Sequence, residues 1–176
     1  MKKSVLLLFF AGCVATGIFG IGRKIPMNRV NDLGQREGYW RDSLGEGITH
    51  ELYYKGGKKD GLFKCFIRNE LFLFGEYTAD NMSGTWYMFG DEGELRCTID
   101  SIELNKDSIY TGYCRIFCKY KCYCADYYPS GAVKSEGYMV CDEEFEIEIW
   151  EIGEWKYYDE SGNLIKTKDY GDRRTP

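Results

Sequence analysis

Gly84-Thr85-Trp86-Tyr87-Met88-Phe89-Gly90-Asp91-Glu92-Gly93-Glu94-Leu95 aligns without a gap on Gly153-Glu154-Trp155-Lys156-Tyr157-Tyr158-Asp159-Glu160-Ser161-Gly162-Asn163-Leu164. The two Gly, the Trp and the Leu coincide, and Phe89 falls on Tyr158. A shorter form, aromatic-x-x-x-Gly, recurs from Tyr53 to Gly57 and from Tyr127 to Gly131, and Gly38-Tyr39-Trp40 repeats the opening Gly-x-Trp. Each copy reads as a β-hairpin. An aromatic side chain ends one strand, Asp, Glu, Ser or Pro begins the turn, and Gly takes the positive-φ position that closes a short loop, often with a bulge. The chain then returns with an apolar residue, Leu95, Val133 or Leu164, facing inward. A lone hairpin is marginal in water, so successive hairpins must join one sheet.

Working outward, period-2 patterning marks further half-buried strands. Ile48, His50, Leu52 and Tyr54 alternate with Thr49, Glu51, Tyr53 and Lys55. Phe63, Cys65 and Ile67 alternate with Lys64 and Phe66, and Phe145, Ile147 and Ile149 with Glu144, Glu146 and Glu148. Composition agrees: 15 Tyr, 10 Phe and 4 Trp are punctuated by 21 Gly with only 3 Pro, a mixture that favours strands and tight turns. The expected fold is all-β, an antiparallel sheet of successive hairpins forming one elongated domain over residues 34–170. Residues 23–33, polar and containing Pro26, read as a linker, and 171–176 as a flexible tail.

The residues Gly38 and Trp40; Gly84, Trp86, Phe89 and Gly93; Tyr127 and Gly131; Gly153, Trp155, Tyr158 and Gly162 resemble the MORN repeat family in its variant bacterial form. The resemblance covers residues 34–95 and 127–170 and leaves the segment from Cys97 to Cys124 without a motif. It implies an elongated sheet of hairpins serving as an interaction or membrane-associated scaffold, and some bacterial relatives are described as antitoxin-like.

The amino terminus has the order of an export signal. Lys2 and Lys3 precede the apolar run Val5 to Phe10, and small residues follow at Ala11, Gly12, Ala15 and Gly17. Residues 1–22 therefore read as a signal peptide or an N-terminal membrane anchor. Three outcomes stay open. Phe10-Ala11-Gly12-Cys13 resembles a lipobox that would lipidate Cys13. Cleavage after Gly17 or Gly22 would suit the small-residue rule. Retention is the third, since Val5 to Gly22 carries no charge over 18 residues, the lower limit for a spanning helix. All three place the protein outside the cytoplasm, periplasmic or membrane-anchored.

Several kinds of chemistry are disfavoured. A net charge of −5 without a basic stripe gives nothing to hold phosphates, so nucleic acid is not an expected partner. His50 is the single histidine and has no spaced nucleophile and orienting acid around it. Cys114-x3-Cys118-x3-Cys122-x-Cys124 lacks the paired knuckles of structural zinc, and no cofactor, metal or catalytic residue is expected. Read as one strand, that segment puts Cys114, Ile116, Cys118, Tyr120, Cys122 and Cys124 on one face. Same-face neighbours stand about 7 Å apart, too far for a disulfide, which leaves cross-strand partners such as Cys65, Cys97 or Cys141. The acidic run Asp142 to Glu151 reads as a solvated strand face or a patch for a partner.

A single layer of hairpins cannot bury both faces. The expected function is therefore a non-enzymatic binding or scaffold module for a protein partner at the envelope. Its surface would comprise Tyr53, Tyr87, Tyr128 and Tyr157 with Glu144, Glu146 and Glu148, and Gly38, Trp40, Gly57, Gly84, Trp86, Gly93, Gly131, Gly153, Trp155 and Gly162 would frame it. The alternatives are a cytosolic antitoxin-like protein and an envelope enzyme acting on glycans.

Overall fold

The computed structural model describes residues 26–110, 115–116, 118–142 and 149–171. Cys13, Cys114, Glu144, Glu146 and Glu148 lie outside them. The strands are β1 (Arg29–Val30), β2 (Arg36–Gly45), β3 (Ile48–Lys55), β4 (Lys58–Ile67), β5 (Glu70–Thr78), β6 (Asn81–Phe89), β7 (Leu95–Leu104), β8 (Ile109–Tyr110), β9 (Arg115–Ile116), β10 (Tyr120–Tyr127), β11 (Val133–Cys141), β12 (Ile149–Tyr158) and β13 (Leu164–Asp169). Eleven of them form one open antiparallel sheet in the order β1-β2-β3-β4-β5-β6-β7-β10-β11-β12-β13, while β8 and β9 pair separately. The fold is all-β and single-domain, with no helix among the described residues. Residues 29–33, read as linker, contribute the edge strand β1 and part of its turn.

Two turn chemistries make the meander. Four links use two residues that both hold positive φ: Glu46-Gly47, Gly56-Gly57, Arg68-Asn69 and Ala79-Asp80. Such turns match the right-handed twist of the flanking strands. Four others share a longer form, in which the first residue's amide donates to the carbonyl four residues on and the Gly amide donates back to the first carbonyl. They run from Asn31, Gly90, Tyr128 and Asp159, with glycines Gly34, Gly93, Gly131 and Gly162. Asn31 and Asp159 brace theirs further, each side-chain oxygen accepting two amides of its own turn. Gly57 thus belongs to the short turns, and the fourth copy of the longer turn is closed by Gly34.

The Gly-x-Trp copies act inside strands. Between Phe74 opposite Tyr87 and Glu76 opposite Ser83, the single residue Gly75 faces Gly84, Thr85 and Trp86. Between Glu136 opposite Lys156 and Tyr138 opposite Ile152, Gly137 faces Gly153, Glu154 and Trp155 in the same way. Gly84 and Gly153 hold φ of 64° and 62°, a conformation an L side chain enters at a cost of about 1–2 kcal/mol. Each bulge turns its Trp ring over the neighbouring strand's glycine. A Cβ on Gly75 would lie 2.1 Å from the Trp86 ring, and one on Gly137 would lie 2.5 Å from Trp155. The indole nitrogens donate to the Ser83 and Tyr138 carbonyls at 3.2 and 2.7 Å.

A regular period underlies the first half. Gly38, Gly61 and Gly84 are 23 residues apart, as are Trp40, Phe63 and Trp86. One backbone bond recurs at the same interval, from the Gly57 amide to the Arg36 carbonyl and from the Asp80 amide to the Lys59 carbonyl. Trp40 meets Tyr54 edge-on, and Phe63 meets Tyr77 likewise. Phe63 and Tyr77 also both pack on Trp86, at 5.5 and 5.1 Å between centroids. These rings, with Leu52, Cys65, Leu73, Ile99, Tyr120, Cys122, Cys124, Met139 and Trp155, make the main core along one face, hereafter the inner face. The expected inward residues after the longer turns differ: Leu95 and Val133 are half-buried, whereas Leu164, on the terminal strand, is 55 % exposed.

The motif-free segment breaks the succession. Between β7 and β10, residues 105–108 and 118–119 lie outside any strand and β8 and β9 pair apart from the main sheet, so Cys118 does not share a strand with Cys122 and Cys124. Asn105 closes the neck, its amide donating to the Lys119 carbonyl and its side chain to the carbonyls of Asp107 and Cys118. Cys118 accordingly joins a second cluster with Ile109 and Val140, against Trp150 and Ile152, apart from the core that holds Cys122 and Cys124.

Overpacking at a glycine this close to a ring typically costs about 1–3 kcal/mol and sometimes more. Gly75→Ala is expected to lower the urea midpoint by at least that equivalent, and Trp86→Leu in the same chain to recover part of the loss. Additive losses in the double variant would contradict the ring-over-glycine contact.

Candidate functional site

The outer face, opposite the main core, is where side chains remain available. Tyr39 stands opposite Tyr53 on β2 and β3, with ring centroids 5.4 Å apart. Phe74 stands opposite Tyr87 on β5 and β6 at 6.0 Å, and Tyr123 opposite Tyr138 on β10 and β11 at 5.2 Å. These are non-stacked aromatic pairs of the kind that stabilise directly opposed strand positions. Tyr53 and Tyr138 are 39 % and 46 % exposed. The face arises because an aromatic in the core is followed or preceded, by strand alternation, by an aromatic pointing the other way, as in Tyr53-Tyr54 and Trp86-Tyr87.

Charges are threaded between the rings. Arg41 and Glu51 approach to 3.8 Å, and Lys64 stands opposite Glu51. The Lys121 ammonium lies 5.2 Å from the Tyr138 ring and 3.5 Å from Glu103. Glu136 accepts the Tyr158 hydroxyl at 2.6 Å, and Thr98 and Tyr127 share a hydroxyl hydrogen bond at 3.1 Å. Burial, followed by a hydrogen bond to Glu51, pushes the Tyr39 phenol up to about 12. Burial, followed by the charge of Glu136, pushes Tyr123 up to about 12. A neighbouring carboxylate opposes phenolate formation, so these hydroxyls stay protonated donors.

The tyrosines expected to share one row separate. Tyr53 and Tyr87 lie on the outer face. Tyr128 stands at the start of the turn from 128 to 132 and donates to the Tyr158 carbonyl at 2.9 Å. Tyr157 packs with the main core, its hydroxyl 2.8 Å from that of Tyr170. Tyr39, Tyr123 and Tyr138 are the members the sequence reading passed over. Tyr39 follows the motif glycine Gly38, Tyr138 follows the ring-covered Gly137, and Tyr123 alternates with the core residues Cys122 and Cys124. The expected acidic row at Glu144, Glu146 and Glu148 lies outside the described residues.

Concavities are open. A cleft of about 430 Å³ is lined by Ala132, Val133, Glu136, Tyr158, Glu160 and Gly162. Another of about 410 Å³ lies against the turn from Phe89 to Gly93, with Glu70 and Leu71. His50 meets Phe63 edge-on at 5.1 Å. On the inner face, among the described residues, one grouping could hold a cation: ligand atoms of Cys97, Cys124 and Asp126 lie within 4.8 Å of one another. No family model matches the chain, and neither the curated proteins nor the solved structures yield a match.

Both folded phenols titrate above their ordinary value, so the folded state holds protons that the unfolded chain has lost. Their contribution to stability is complete below about pH 10 and declines as pH rises toward about 12. Ultraviolet titration of tyrosinate should show a late-titrating fraction, and Glu136→Gln should move Tyr123 downward. An unchanged titration curve in that variant contradicts the pairing with Glu136.

Proposed function

We propose that this chain is a non-enzymatic, exported binding module of MORN-like repeats, which offers its outer tyrosine face to a protein partner at the cell envelope. One observation carries the reading: three opposed aromatic pairs are spread over β2 to β11 on the side of the sheet that the main core does not use. Tyrosine is well fitted to such a role. It offers a large apolar surface with few rotatable bonds and a hydroxyl that can donate to a partner. The phenols beside Glu51 and Glu136 remain donors throughout the physiological range. Lys64, Lys121 and Lys156 between them favour a partner carrying carboxylates among its own apolar residues.

The repeated Gly-x-aromatic bulge and the 23-residue spacing of Gly38, Gly61 and Gly84 support the MORN-like assignment. The Lys2-Lys3 pair and the apolar run that follows support export, with lipidated Cys13, a cleaved leader or a retained anchor as the tether to the membrane. A scaffold of this kind gains from rigidity. Short two-residue turns and paired bulges fix the register of each strand, so the aromatic pairs are presented at set separations.

Replacing Tyr53, Tyr87 and Tyr138 together by Ser leaves the main core untouched. The purified full chain, coupled to a resin, is expected to retain a saturable protein from a detergent extract of the source envelope, and the triple variant to lose at least tenfold in apparent affinity. Equal retention by both contradicts the outer face as the binding surface. Intact mass after expression in an exporting host tests the other half. Loss of the leader or an added acyl mass is expected, and an unprocessed chain confined to the cytosol contradicts export.

A further inference from the structure

Four thiols lie on one diagonal of the inner face. Cys124 of β10 stands opposite Ile99, and its sulfur lies 3.1 Å from that of Cys97, two residues along β7. Cys122 stands opposite Met139, and its sulfur lies 3.6 Å from that of Cys141, two residues along β11. Viewed with β10 vertical, both displacements run in the same rotational sense, because β7 and β11 are each antiparallel to it. One sense of diagonal is drawn together on a given face by sheet twist, and both pairs use it. All four residues are buried.

We propose that Cys97–Cys124 and Cys122–Cys141 are two disulfide bonds of the mature protein. They would staple β7, β10 and β11 where residues 105–119 interrupt the hairpin succession. Bond formation needs each sulfur pair to close from 3.1 and 3.6 Å to about 2 Å, by side-chain rotation together with a small approach of the strands along the diagonal that twist already shortens. Each pair forms by exchange with an oxidant that itself carries a disulfide. One cysteine thiolate attacks the oxidant, giving a mixed disulfide and expelling one oxidant thiolate. The second cysteine thiolate then displaces the second oxidant sulfur. Two electrons pass to the oxidant, and the two protons of the cysteines end on its two thiols. The hydrogen bond to the partner thiol, followed by burial, raises Cys122 and Cys124 well above the ordinary thiol range. Exchange therefore precedes closure of the sheet, and the finished bonds resist reductant in the folded state.

A metal bound by Cys97, Cys124 and Asp126 is the rival. It leaves the Cys122–Cys141 approach unaccounted for, although that pair repeats the geometry of the first. Asp126 moreover already has a partner, since it accepts the hydroxyl of the buried Ser135 at 2.8 Å. The two bonds span sequence separations of 27 and 19 residues, and the longer one encloses the whole excursion.

The test does not depend on export or on the outer face. The full chain is refolded from denaturant in a glutathione redox buffer containing chelator, quenched with acid, and alkylated in denaturant before and after reduction. Four more alkyl groups are expected after reduction. Proteolysis that cuts after Tyr123 should give Cys97 linked to Cys124 and Cys122 linked to Cys141. Reduction should lower the thermal midpoint by roughly 10 °C for each bond. No gain in alkylation, any other pairing, or a chain refolded with zinc that keeps the metal and all its thiols overturns the proposal.

Discussion

The structure depends on two indole rings laid flat over two glycines. Trp86 covers Gly75, and Trp155 covers Gly137, at separations where even a methyl group would overlap ring carbon. A strand residue ordinarily fends off such an approach with its own Cβ. Removing that atom lets the ring bridge to the strand beyond, as Trp86 does in reaching Phe63 across β5. Burial of a ring of this size is worth several kcal/mol, enough to hold Gly84 and Gly153 in left-handed conformations. The three-against-one bulge follows from the same demand, because the chain must step aside to rotate the indole inward.

That arrangement divides the work between the two faces. Bridging rings let a single layer bury a continuous core on its inner side without a second sheet, and Tyr120 extends the same habit, its hydroxyl oxygen accepting the Met82 amide across β7. The outer side is then released from any packing duty over most of its extent. It keeps opposed tyrosines and paired charges, and among the described residues it is covered where Ile109 and Cys118 meet Val140, Trp150 and Ile152. A binding face held on a sheet whose register is pinned by bulges changes little on association.

Much of the fold was legible in the sequence, because its signals are local. Alternation in residues 48–55 and the glycines at 93, 131 and 162 depend only on strand pleat and turn geometry. The 23-residue period was harder to see, since Phe63 stands where its neighbours in the series carry Trp, and Asp60-Gly61 sits inside a strand. Gly34 was hidden by the polar, irregular character of its surroundings. The departure at residues 105–119 was illegible for a different reason: it is set by Asn105 bonding to Cys118 and Lys119, a long-range closure that no periodicity announces. The candidate face was half legible. Adjacent aromatics do point to opposite sides, but which of Tyr157 and Tyr158 faces inward is decided by the bulge at Gly153, and a one-residue step reverses every later side chain.

Ring currents offer the most direct measurement of the central contact. A proton held against the face of an indole is strongly shielded, so the α-protons of Gly75 and Gly137 should resonate well upfield of ordinary glycine in the spectrum of the folded protein. In Trp86→Leu the Gly75 signals alone should return to the usual region, with Gly137 unmoved. Ordinary shifts for both glycines in the native chain would contradict the stacked geometry, and with it the single-layer core on which the outer face depends.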